Sequence, residues 1–134
     1  MRVRAAGAVV AVVLLVACSD DEGSAEELCD AVRSDPSITT AFDGFDPTDV
    51  DGALDRLRAA RVTLGDLRDA APSELRDDLT VEIEYVQALV DGLDGLEGDD
   101  PNDALDAVQA ITADHPDVAG AAATLDEFAT TTCA

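Results

Sequence analysis

Residues 46–93 read DPTDVDGALDRLRAARVTLGDLRDAAPSELRDDLTVEIEYVQALVDGL, and the spacing of their apolar residues decides the fold. Val50, Ala53, Leu57, Ala60, Leu64, Leu67 and Ala71 recur at alternating steps of three and four, which makes one apolar stripe along a long amphipathic helix. Asp46-Pro47-Thr48-Asp49 reads as its start, with Asp46 as cap, Pro47 at the first helical position and Asp49 beside the positive end of the helix dipole. Pro72 closes this helix and opens another, in which Leu75, Leu79, Ile83, Val86, Val90 and Leu93 repeat the pattern. Joined by a tight turn, the two should pack as an antiparallel hairpin.

Working outward from the hairpin, Ser24-Ala25-Glu26-Glu27 has the spacing of a capping box and leads into a first helix with Leu28 and Val32 on one face and Cys29 beside them. Asp35-Pro36 ends it, and Ile38, Phe42 and Phe45 then form a short helix or ordered loop covering one end of the core. On the other side, Gly92, Gly95 and Gly98 weaken the end of the hairpin, and residues 97–100 make an acidic linker. Asp100-Pro101-Asn102-Asp103 repeats the cap-plus-proline start, followed by Leu105, Val108 and Ile111; after the break at Asp114-His115-Pro116, a last helix carries Val118, Ala122, Leu125 and Phe128 toward Cys133. No alternating run is long enough for a strand. The expected fold is all-α, a small bundle of four to five helices.

Residues 1–17 have the layout of an export signal, with Arg2 and Arg4 ahead of an apolar run over 5–16 that is shorter than the roughly 20 residues of a permanent membrane span. Leu15-Val16-Ala17-Cys18 reads as a bacterial lipobox, in which Cys18 receives the lipid and becomes the first mature residue. The domain plan is therefore a signal peptide over 1–17, the lipidated Cys18 with an acidic tether over 18–23, and a helical domain over 24–134.

Once the signal is removed, 30 carboxylates face 6 arginines and no lysine, a formal side-chain charge of −24. So acidic a surface argues against nucleic acid and anionic head groups as direct partners, because each phosphate contact calls for Lys or Arg. With Cys18 taken by lipid, Cys29 and Cys133 are an even pair outside the cytoplasm and read as a disulfide. Closing a loop of about 100 residues stabilises by about 4 to 5 kcal/mol on the chain-entropy account. Many apolar positions are alanine, so the core is thin and the staple matters.

Cys29-Asp30-Ala31-Val32, the Ala70-Ala71-Pro72 hinge before the charged segment 73–78, and a terminal helix over 125–133 ending in Cys together resemble the small uncharacterised secreted and lipid-anchored proteins of high-GC actinobacteria. The resemblance covers most of the mature chain and departs at Ala134, where Gly is expected. It implies a helical bundle tied by Cys29 and Cys133, and it implies no activity.

Residues suited to catalysis are scarce. General acid-base work at neutral pH usually employs His, and nucleophilic catalysis needs an activated side chain beside a base. His115 is the single His and reads as a turn residue or helix-end cap; Tyr85, the single Tyr, reads as a core-edge residue. No catalytic residue and no cofactor are assigned. Asp43, Asp46, Asp49 and Asp51, with Gly44 and Gly52, form the best candidate cation site, with calcium the expected ion, although their spacing is not that of an EF-hand and the helix start already accounts for two of them. Asp99, Asp100 and Asp103 raise the same question at the later helix start. Arg56, Arg58, Arg61, Arg68 and Arg76 fall within 21 residues, either neutralised by nearby acids or forming a recognition face.

The sequence thus points to a non-catalytic envelope protein at the outer face of the cell membrane, attached through the lipid on Cys18 and binding another envelope protein or a wall component. The alternative is a small extracytoplasmic ligand or cation binder. A pocket lined by Phe42, Phe45, Tyr85 and Phe128 would favour that alternative.

Overall fold

The computed structural model describes residues 23–34, 45–96, 98 and 100–133. The signal segment, Cys18, Phe42, Asp43 and Asp99 lie outside these residues. Among the described residues there are five helices and no strand: α1 (Ala25–Ser34), α2 (Val50–Ala70), α3 (Ser73–Leu93), α4 (Pro101–Asp114) and α5 (Val118–Thr132). Helix α3 is the hub, packing on α2, α4 and α5, while α1 bridges α2 and α5.

All seven stripe residues predicted for α2 are buried, and Leu54 joins them from the adjacent position. On α3, Leu75, Leu79, Val86, Val90 and Leu93 are buried as predicted, but Ile83 packs only at the core edge. The true stripe steps through Glu82 and Leu89 instead. The corner between the helices needs only Ala71 and Pro72, both extended, with ψ of 147° and 154°. The Ala71 amide donates to the Arg68 carbonyl at 3.3 Å, and Arg76 Nε donates to the Ala71 carbonyl at 3.2 Å. One side chain thereby satisfies a carbonyl that the reversal leaves without a helical partner.

The two Asp-Pro segments share a local turn and then diverge. In both, the first Asp accepts from the amide two residues on, Thr48 and Asn102 respectively, each at 2.9 Å. Asp100 caps α4 directly, with Pro101 as its first residue. Asp46 caps only a single turn, because Asp49 leaves the helical region (φ −126°, ψ 65°) and caps α2 afresh by accepting from the Gly52 amide at 3.1 Å. The expected start of α2 therefore moves from Asp46 to Asp49. Farther along, Gly95 (φ 89°) takes the left-handed conformation that follows the end of α3 and that side-chain-bearing residues resist.

Helices α4 and α5 keep most of the expected face and depart from it at one position each. Ala104 is buried and Leu105 is 37% exposed; on α5 Ala121 is buried and Ala122 exposed. A small residue at the closest approach of two helices lets their axes come nearer. Val108 and Ile111, and Leu125 and Phe128, pack against the core from these faces. Ile111 reaches α3 at Gly92, where a side chain would collide with its tip.

Candidate functional site

Cys29 and Cys133 form the predicted disulfide, with S–S 2.06 Å and Cα–Cα 5.2 Å across 104 residues of sequence. Cys29 is brought there by α1, whose Leu28 enters the core and whose first turn is capped by Ser24 Oγ accepting from the Glu27 amide at 3.1 Å. Arg33, in the last turn of α1, donates from Nη2 to the Cys133 carbonyl at 2.8 Å, so a second bond joins the same two termini.

Of the candidate cation ligands, Asp46 and Asp49 direct carboxylate oxygens to their own chain as turn and helix caps, Asp51 is exposed in the first turn of α2, and Asp43 lies outside the described residues. The Asp46 carboxyl is held below its ordinary range, first by the Thr48 hydroxyl donating to it, then by the Thr48 amide, with the Arg56 charge adding to the effect. Among the described residues, no group of three or more His, Cys, Asp or Glu side chains is arranged to hold a metal ion. What the fold does bring together is the two turns themselves: Pro47, Thr48 and Asp51 face Gly98 and Pro101 across a depression of about 290 Å³. The starts of α2 and α4 consequently share one acidic pole of the bundle.

A smaller cleft, about 130 Å³, lies between Phe45, Leu57, Tyr85, Leu89 and Val108, with Arg56 at its edge. Two of the four aromatics considered for a pocket line it. Phe128 packs elsewhere against the core, and Phe42 is outside the described residues. Tyr85 is oriented by its hydroxyl, 2.8 Å from the Thr112 hydroxyl, and by the edge-on ring of His115 at 5.7 Å. His115 itself ends α4, its Nδ1 2.8 Å from the Ile111 carbonyl. This is the helix-end role its place before Pro116 predicts.

The arginines are largely engaged within the bundle. Arg58 lies between Asp55 (3.7 Å) on its own helix and Asp94 (3.5 Å) just past α3, while Arg61 donates to Gln87 Oε1, whose amide in turn donates to Asp91 at 2.8 Å. Exposed pairs of this kind contribute at most about 1 kcal/mol each, so they register the two helices more than they stabilise them. Arg56 makes no ion pair among the described residues.

Glu82 is a buried ionisable residue that the apolar pattern of the sequence does not reveal. It is 7% exposed, on the α3 stripe between Leu79 and Val86, and burial, with the Asp78 charge one turn earlier, raises its carboxyl above the ordinary range. The steps 75, 79, 82, 86, 89 and 93 would have found it, had an acid been admitted to an otherwise apolar series.

No protein-family model, curated protein or solved structure matches the chain. Among the described residues, no helix is long and apolar enough to cross a membrane.

Proposed function

We propose that this chain is a lipid-anchored, non-catalytic interaction module of the cell envelope, held at the outer face of the membrane through Cys18. Its role is to bind another envelope protein or a wall component through the helical surface. The disposition of the three cysteines carries the reading. Cys29 and Cys133 are joined inside the fold, so Cys18 is the one cysteine left over, and it sits where an apolar export-type segment meets an acidic one. A structural disulfide also suits an oxidising compartment. The bundle offers a rigid face, and an anchor raises its effective concentration at a surface. Mass spectrometry of the mature N-terminal peptide tests this: the expected peptide begins at acylated Cys18, and Cys18→Ala leaves unprocessed precursor. A mature chain cut elsewhere, with an unmodified Cys18, would refute the anchor. Crosslinking of the anchored protein in cells, followed by pull-down, then identifies the partner.

The cleft at Phe45 and Tyr85 favours a second reading, a small extracytoplasmic ligand binder. Its volume of about 130 Å³ is close to that of an engineered apolar cavity, about 150 Å³, that takes up benzene. With Arg56 at the edge, a small apolar carboxylate is the matching chemistry. Titration with short branched and aromatic carboxylates should shift the Tyr85 and Val108 resonances in NMR spectra; unchanged spectra at millimolar ligand reject it.

A further inference from the structure

The first described residue lies at one identifiable pole of the bundle. Gly23 lies so close to the corner between α2 and α3 that a side chain on it would collide with the Ala70 carbonyl and the Ala71 amide, an approach open to glycine because it has no Cβ. The Ser24 cap and the Cys29–Cys133 bond then secure the helix that follows. At the far end of α2, 21 residues or about 31 Å away, lie Asp46, Asp49 and Asp51, joined there by Asp94 at the end of α3 and by Asp100 and Asp103 at the start of α4. Five peptide steps separate Cys18 from Gly23, a reach of at most about 18 Å even when fully extended.

We infer that the α2–α3 corner is the pole turned toward the lipid surface, and that the acidic pole with its two Asp-Pro turns is held outward. This rests on the reading that Cys18 is acylated. Two independent arguments set the orientation. The tether is shorter than the bundle, so the corner stays near the head groups whatever the domain does. If the domain lay flat, carboxylates along its whole length would come against an anionic leaflet, which repels them, whereas a domain standing on its tethered corner brings only those of one pole near the surface.

The test uses the full acylated protein in vesicles of phosphatidylcholine with a minority of phosphatidylglycerol and a lipid carrying a nitroxide on its head group. A fluorescent amino acid replaces Glu74, beside the corner, or Asp103, at the far pole, both exposed. Quenching several-fold stronger at position 74 than at 103 is expected, and equal or reversed quenching overturns the orientation. The mass of the N-terminal peptide is read on the same samples. A missing lipid on Cys18 overturns the anchor and the orientation with it, while a lipid present with reversed quenching leaves the anchor standing and rejects the orientation alone.

Discussion

Replacing Cys133 with Ser should cost this domain more than any other single side chain on its surface. The bond closes 104 residues of sequence, and the chain-entropy relation gives about 4.7 kcal/mol for a loop near that length. Native disulfides in small domains are worth about 2 to 5 kcal/mol when measured, so about 3 to 5 is the working range. Little else holds the two terminal helices. Leu28 is the one large buried anchor of α1, and α5 buries Ala121 fully with Leu125 and Phe128 only in part. The Arg33 bond to the Cys133 carbonyl depends on the same docking and should be lost with it. Against a total stability of about 5 to 15 kcal/mol, the loss is about a fifth or more. At about 4 °C per kcal/mol for a domain of this size, the melting temperature should drop by about 12 to 20 °C. Urea denaturation of oxidised, reduced and Cys133→Ser protein gives the free energy, and hydrogen exchange locates it: α1 and α5 should lose protection while the α2–α3 hairpin keeps most of its own. Two free thiols in the wild-type protein, or an unchanged melting temperature on reduction, would refute the reasoning.

Glu82→Gln should stabilise the domain at pH 7 and make no difference well below the ordinary Glu range near 4.5. A carboxyl raised by burial favours the folded state when protonated, and that contribution is lost as pH rises from the unfolded value through the folded one; a pH-independent difference in urea midpoints between the two proteins would count against the burial. Gly65→Ala, in the middle of α2 with nothing within 4 Å of the added methyl, should add about 0.5 to 1 kcal/mol in thermal denaturation, whereas Gly23→Ala should release the start of α1 from the corner and raise its exchange rates. Leu64→Ala should lose about 2 to 5 kcal/mol and Leu105→Ala well under 1, and a reversed order in chemical denaturation would mean that α4 is turned the other way. Asp49→Ala should cost about 0.5 to 2 kcal/mol through loss of the α2 cap, and a smaller effect than that of Asp46→Ala would return the helix start to Asp46.

The hairpin was legible because its stripe is long. Six spaced positions on α2, with Ala71 at the corner, constrain the buried face so strongly that no neighbour could rotate the helix away from it. On α4, Val108 and Ile111 face the core as the spacing expects, but Ala104 and Leu105 are adjacent, and packing against α3 put the smaller of the two at the closest approach. Packing likewise chose Ala121 over Ala122. The candidate cation cluster was legible only as composition. Its aspartates are close in sequence, yet two of them spend oxygens on backbone amides, as caps do, and closeness in sequence says nothing of where lone pairs point. Glu82 escaped because an acid in a core series contradicts the pattern that reveals the core.

The order of the described helices, the proline-marked breaks and the acidic, lysine-free composition follow from the sequence alone, and so does the pairing of Cys29 with Cys133 once Cys18 is set aside. Helix starts and periodicity are properties of neighbouring residues, and they survive without knowledge of what packs where. The tertiary structure alone decided that Ala104 and Ala121 face inward, that Glu82 is buried, that two like Asp-Pro turns cap differently and meet at one pole, and that Gly23 rests on the opposite corner. Each of these depends on the rotation of a helix about its axis and on contacts between residues tens of positions apart, which local sequence does not encode.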